Sequence, residues 1–330
     1  MTASEHARLR ARALACGEDI GAALELARDL GTTLPLPGAG DTVARWATLA
    51  ELGRANLTVA RVVEAHADAL AVLAESGRDL HDERRTWGVF AAEAPGVRLV
   101  ADPADDGRVT LTGVKPWCSL GGALDAALVT AHTGDERGLF AVDLRRDDVR
   151  AEPSDRWVAR GLRTVVSGPV TFSATPAEPV GAPGWYLRRA GFAWGGIGVA
   201  ACWLGGARGV ADALWAGSRR RDLDDLHRGT VDAALFAAQS ALAAAAREVD
   251  APVDPAAGPA ADPEVLALRV RAAVADCVET VLRQVGHALG PTPLAFDAEH
   301  AARVADLTLY VRQHHAERDL AELGRRLGDV

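Results

Sequence analysis

The sequence has no run of lysine and arginine long enough to follow a phosphate backbone. Its longest basic run, Arg219, Arg220 and Arg221, is followed at once by Asp222, Asp224 and Asp225, and the chain carries a formal net charge of −9. Nucleic acid is therefore excluded as an expected partner, and the run reads as a solvated helix end. The four cysteines, Cys16, Cys118, Cys202 and Cys277, lie far apart with no paired spacing. That argues against a zinc site and against a disulfide framework. The amino terminus is charged and lacks an apolar core, so no signal peptide is expected. No stretch reads as apolar enough to cross a bilayer, which leaves a cytoplasmic protein without a membrane partner as the expectation. There is no internal repeat. Gly195, Gly196 and Gly198 are close together, but they fall inside a predicted helix with no strand before it, so they fail as a dinucleotide fingerprint. His314 and His315, with Glu317 nearby, do not read as metal ligands, because adjacent helical residues point to different faces. With Arg312, Arg318 and Asp319 they read as a solvated charged face.

What is present is the composition of a globular protein. The 330 residues are 49% hydrophobic and 25% charged, enough for a sizeable core and two or three regions. Over 41–77, apolar residues recur at Leu49, Leu52, Val59, Val62, Val63, Leu70 and Leu73. Those three- and four-residue steps mark the buried stripe of helices, interrupted at Gly53 and Asn56 and ending near Gly77. The period then changes. Short β-type runs at 97–100, 109–112, 127–130, 139–143 and 170–173 are separated by glycine, aspartate and proline. Five or six strands without helices between them predict a compact antiparallel barrel or sandwich. Helical patterning resumes at 186–216, 231–249 and 265–285, with a Pro-, Ala- and Asp-rich linker at 250–262 and one last helix over 299–327. The expected fold class is α+β. An N-terminal helical region spans 1–86, a central antiparallel β-domain 87–178, and a C-terminal helical bundle 179–330.

Two segments carry a resemblance. In the first, Gly113 and Lys115 precede the aromatic Trp117, a spacer and Ser119, then Gly121, Gly122 and a strand from Ala126. In the second, Gly161, Leu162, Arg163 and Ser167 lead through Val170, Thr171 and Phe172 to Pro179 and the long helices. Their order and spacing resemble the acyl-CoA dehydrogenase family. The resemblance implies that fold, a bound FAD, and α,β-dehydrogenation of an acyl thioester carried by coenzyme A or a carrier protein. It also implies a homo-oligomer and an electron-accepting flavoprotein as possible partner. In the family, the aromatic matching Trp117 packs on the isoalloxazine and the hydroxyl matching Ser119 bonds near flavin N5. Gly286 and Gly290 would let backbone approach the adenylate end of the cofactor. Two departures stand out. Residues 89–96 keep Glu93, Pro95 and Gly96 of the family's Thr-Glu-Pro and Gly-Ser-Asp segment but lose its hydroxyls, and no pyrophosphate-binding arginine motif is clear near residues 219–222.

Dehydrogenation of a thioester needs a carboxylate to take the α-proton while hydride passes to the flavin. The family's loop between two late helices matches residues 291–300, and anchoring on Asp306 puts Asp297 at the base position with Glu299 second. Asp297 also precedes a predicted helix, where an aspartate commonly serves as an N-cap. The family's other base position falls at Gly195, Gly196 and Ile197, which offer no acid. Two further readings keep the fold. One is a flavin-dependent monooxygenase supplied with reduced flavin, which needs no carboxylate base. The other is a non-catalytic subunit retained for assembly.

Overall fold

Two residues set the limits of the second long helical stretch. Asn56 is extended and its Oδ1 accepts from Val59 N at 3.2 Å, so it closes one helix and caps the next. Gly77, at φ 67, ends that next helix in the left-handed conformation glycine allows. The four N-terminal helices are α1 (Ala3–Cys16), α2 (Ile20–Gly31), α3 (Thr42–Ala55) and α4 (Leu57–Ser76). Gly53 does not break the chain as its type predicts. It stays inside α3, where a Cβ would stand 2.4 Å from the Cys202 carbonyl oxygen, so it permits close helix packing instead. The computed structural model describes residues 3–78, 82, 84–103, 108–216, 223–252 and 262–328. Arg219 to Asp222 and most of the 250–262 linker lie outside the described residues.

Seven strands follow: β1 (Trp87–Phe90), β2 (Leu99–Pro103), β3 (Val109–Ser119), β4 (Ala126–Thr133), β5 (Glu136–Asp143), β6 (Val149–Ala151) and β7 (Ser167–Pro179). The path β4–β2–β3–β7–β5 closes back onto β4, with β1 beside β4 and β6 beside β7. Pairing is antiparallel except between β1 and β4 and at the single Val100–His132 pair of β2 with β4. The parallel β1 was not expected from alternation, since four residues are too few to show a period. Its placement comes from Asp125, whose Oδ2 accepts from both the backbone and the hydroxyl of Thr86 at 2.9 and 2.8 Å. That pair sets the starts of β1 and β4 side by side.

The C-terminal region holds α5 (Trp185–Arg188), α6 (Ala190–Ala216), α7 (Asp224–Val249), α8 (Pro263–Leu289), α9 (Thr292–Phe296), α10 (Ala298–Tyr310) and α11 (Glu317–Gly328). The single last helix expected over 299–327 is two helices. A 3-10 turn at Val311–Gln313 and Ala316 at φ 48 interrupt it. Side chains take up the backbone groups released there. Arg271 Nη2 donates to Gln313 O at 2.8 Å, and His315 N donates to Asp319 Oδ2 at 3.1 Å.

α6 runs through the core, and glycine lets α3 lie against it. A Cβ on Gly205 would stand 2.0 Å from Ala50 O. Contrary to the reading that no stretch is apolar enough, α6 and α7 are each long and apolar enough to cross a bilayer by length and composition. For α6 the apolarity has another cause, because 67% of that window is buried inside the protein. α7 leaves Leu226 and Phe236 exposed.

Candidate functional site

β3 ends in a bulge that aims one aromatic ring outward. Lys115 pairs with Val170 and Cys118 with Gly168, so β3 carries one residue more than β7 between these points. Both flanks are fixed inside the barrel. Lys115 Nζ, buried, donates to Glu93 Oε1 at 2.6 Å and Thr130 Oγ1 at 2.8 Å, while Cys118 is 1% exposed. Burial pulls the Lys115 ammonium below its usual range. The extra length is thrown out at Trp117, which takes φ 58 and is 61% exposed as a residue. A left-handed φ on a bulky residue costs energy and persists only where its surroundings impose it. Two residues on, Ser119 Oγ shares a 2.8 Å hydrogen bond with Ser167 Oγ, and Ser167 donates in turn to Val165 O at 3.1 Å.

Behind Ser119 stands a buried ionic cluster built from α4 and the C-terminal end of α10. Arg61 Nη2 donates to Ser119 Oγ at 3.3 Å, and Arg61 Nη1 donates to Glu64 Oε2 at 2.6 Å. The Tyr310 hydroxyl donates to the same Glu64 oxygen at 3.2 Å, and the Arg61 guanidinium lies over the Tyr310 ring at 5.9 Å. Burial works against the Arg61 charge, but Glu64 beside it keeps the guanidinium protonated. Burial likewise pushes the Glu64 carboxyl up, against the pull of Arg61. One turn farther along α4, Asp68 forms no hydrogen bond or ion pair among the described residues. Its carboxyl is raised by burial while Arg189, Arg45 and Arg61 oppose the shift. Its Oδ1 occupies the space a Cβ on Gly195 would need, at 2.6 Å. A carboxyl from α4 thus lies against α6 at a point where α6 carries glycine.

The sequence-assigned acids have partners of their own. Asp297 Oδ1 accepts from His300 N at 3.0 Å, so Asp297 is the N-cap of α10. Glu299 is 67% exposed and its Oε1 pairs with Arg303 at 2.6 Å. α10 meets the barrel at Asp306, whose Oδ1 accepts from Leu162 N at 2.6 Å, while Gly161 leaves room for the Ala305 carbonyl. Asp297 precedes Asp306 by nine residues, which is about 13 Å of helix. The Tyr310 end of α10 reaches Ser119 through Glu64 and Arg61, and no hydrogen bond or ion pair among the described residues joins Asp297 to them. Gly286 and Gly290 lie near and at the end of α8 with open space where a Cβ would be; Gly290 takes φ 68. Hydrogen bonds join Ser119, two residues after Trp117, to Arg61, Glu64 and Tyr310, while those of Asp297 and Glu299 run to His300 and Arg303.

His314 also departs from its reading as a solvated residue. Its side chain is 9% exposed, against 61% for His315, and it packs edge-on to Trp203 at 6.5 Å. Burial pulls the imidazole below its usual range. The turn after Tyr310 folds one histidine of the pair inward, which helical spacing alone could not indicate. Among the described residues, no group of three or more His, Cys, Asp or Glu is placed to hold a metal.

The whole course of the chain finds counterparts among solved structures. Butyryl-CoA dehydrogenase from Megasphaera elsdenii superposes with a TM-score of 0.82 at 16% identity, over 99% of this chain and 98% of that one. The FMN-bound TdsC of Paenibacillus sp. A11-2 gives 0.79 at 18%, over 97% and 95%. Glutaryl-CoA dehydrogenase from Mycobacterium smegmatis gives 0.79 at 18%, over 100% and 96%. The chain has the acyl-CoA dehydrogenase fold. No family model matches the sequence, and no curated protein matches it. Within this fold, the exposed Trp117, the Ser119–Ser167 pair and the ionic cluster behind them occupy the junction between the barrel and the helices. Arg61, Glu64 and Asp68 were not singled out from the sequence. Their only trace there is a charged residue at each of three successive turns of a helix that is otherwise mostly apolar.

Proposed function

We propose that the chain is a flavin-dependent oxidoreductase, with Trp117 and Ser119 holding the ring system. The observation that carries this is the outward Trp117 ring, held at a left-handed φ beside a hydroxyl pair on one rim of the barrel. A rigid aromatic face and a hydrogen-bonding group two residues away fit a flat heterocycle with polar ring atoms. When bound, a flavin supplies hydride acceptance from a substrate carbon or, once reduced, activation of oxygen. Trp117 covers its face, Ser119 orients it, and Arg61 holds the Ser119 hydroxyl in place. The exposed Gly286 and the half-buried Gly290 suit the adenylate end of FAD.

Of the two reactions open to such a site, the geometry favours monooxygenation, which is also the activity of the dibenzothiophene monooxygenase TdsC. It needs no carboxylate base, and both sequence-assigned bases are already engaged, Asp297 as a cap and Glu299 with Arg303. The second reading is α,β-dehydrogenation of an acyl thioester on coenzyme A or a carrier protein. The close superposition on butyryl-CoA dehydrogenase favours it. There Asp297, released from its cap, or Glu299 would take the proton, and a partner flavoprotein would accept the electrons. Either reaction suits a cytoplasmic homo-oligomer, with the exposed Leu223, Leu226 and Phe236 around α7 available for self-association.

The test is an absorbance spectrum of the purified protein with and without added FMN and FAD, followed by two assays. Oxygen uptake with externally reduced flavin is the expected result. A flavin band bleached anaerobically by one acyl-CoA would move the assignment to dehydrogenation. Failure to take up either flavin, together with a stable hetero-complex, would leave a non-catalytic subunit.

A further inference from the structure

The groups facing Ser119 from the helical side are charged, and their arrangement is two-sided. Arg61 divides its guanidinium between the Ser119 hydroxyl at 3.3 Å and the Glu64 carboxylate at 2.6 Å. The side chains of Arg61 and Glu64 are 14% and 7% exposed. Tyr310 adds a second donor to Glu64 at 3.2 Å. A planar fork can serve two acceptors at once, which an ammonium on a flexible stem does less well. Little water reaches the pair, so its field is weakly screened on the Ser119 side. The positive end of the ion pair is the one that touches Ser119, while the negative end is turned toward Tyr310.

We propose that the Arg61–Glu64 pair sets the electrostatic potential at Ser119 and, through it, the reduction potential of the flavin held there. The inference rests on the flavin reading given above. Arg61 raises the tendency of the ring to accept electrons, because electron acceptance places negative charge next to a guanidinium. Glu64 holds that effect back by cancelling part of the charge. Removing one partner and removing the other must then move the flavin in opposite directions. A pair that merely ties α4 to the barrel would change stability and leave the flavin's electron affinity where it was.

Sulfite is the probe, because it adds to oxidised flavins with an affinity that rises with positive potential at the ring. Sulfite titrations of the flavin-loaded protein, followed by loss of the flavin band, are compared for wild type, Arg61→Met, Arg61→Lys and Glu64→Gln. Arg61→Met is expected to weaken sulfite binding about tenfold, and Glu64→Gln to tighten it by a similar factor. A tenfold change corresponds to about 30 mV on a two-electron couple. Arg61→Lys keeps the charge and is expected to stay within about threefold of wild type. If Arg61→Met does not fold, the contrast between Glu64→Gln and Arg61→Lys carries the test by itself. Flavin-loaded variants that all bind sulfite as wild type does, or shifts of the same sign for Arg61→Met and Glu64→Gln, overturn the inference and leave the flavin reading intact. A wild-type protein that takes up no flavin overturns both.

Discussion

Acids cluster in two places, at the start of α10 and on the inner face of α4, and the two clusters have opposite surroundings. Asp297 and Glu299 lie on a turn open to water, one capping a helix and the other paired with Arg303 across one helical turn. Glu64 and Asp68 lie between helices, one locked to Arg61 and Tyr310 and the other without a hydrogen bond or ion pair among the described residues. At the surface a carboxylate is solvated whether or not it has a partner, so its position says little about chemistry. In the interior a carboxylate is costly unless it is paired or used. The difference directs attention from the loop that matches a motif to the helix that carries unexplained charge.

The contrast can be broken or sharpened by substitution, and the expected effects fall in a clear order. Glu64→Ala leaves Arg61 unpaired and is expected to cost about 3–5 kcal/mol in urea unfolding. The double change Arg61→Met with Glu64→Leu should recover most of that loss. A single variant that unfolds like wild type would show that the cluster is solvated after all. Asp306 comes next. Burial pushes its carboxyl up to about 6, while the Leu162 N–H pulls the other way. A carboxyl raised in the folded state contributes stability that is complete below its ordinary value of 3.8 and is lost as pH rises through about 6. Wild type should therefore lose about 2–3 kcal/mol from this group between pH 4 and pH 7. Asp306→Asn, which still accepts from Leu162, should flatten that part of the pH–stability curve, and an unchanged curve would place the carboxyl in water.

Asp297→Ala removes a cap and is expected to cost about 1 kcal/mol, read as a small fall in melting temperature. The same variant separates the two reactions. Turnover kept within about threefold fits a cap alone, whereas a loss of about a hundredfold or more would restore Asp297 as a base. The smallest effect belongs to Glu299→Gln. An exposed pair one turn apart contributes about 0.3–0.5 kcal/mol, and the stability difference should vanish in high salt.

Much of the architecture was legible because periodicity reports burial directly. The stripe from Leu49 to Leu73 belongs to α3 and α4, the run at 97–100 overlaps the start of β2, and the other β-type runs fall within β3, β4, β5 and β7. Short or composite elements were not legible. β1 has four residues, and the break after Tyr310 depends on Arg271 and Asp319 reaching backbone groups from other points of the chain or the turn itself. For the site, Trp117 and Ser119 could be picked out because they sit in a local motif. Arg61 and Glu64 could not, since a charged pair three residues apart on a helix normally faces water.

The sequence by itself determined the order helices, strands, helices, the break at Asn56 and the cap at Asp297. Each follows from local sterics, local hydrogen bonding or the period of apolar residues. Tertiary structure alone decided that the barrel closes, that Trp117 points outward, that His314 turns inward, and that Arg61 meets Ser119 across 58 positions of chain. Those outcomes depend on which surfaces exclude water from one another. Such exclusion is a property of distant segments packed together and leaves no mark on the residues of either segment alone.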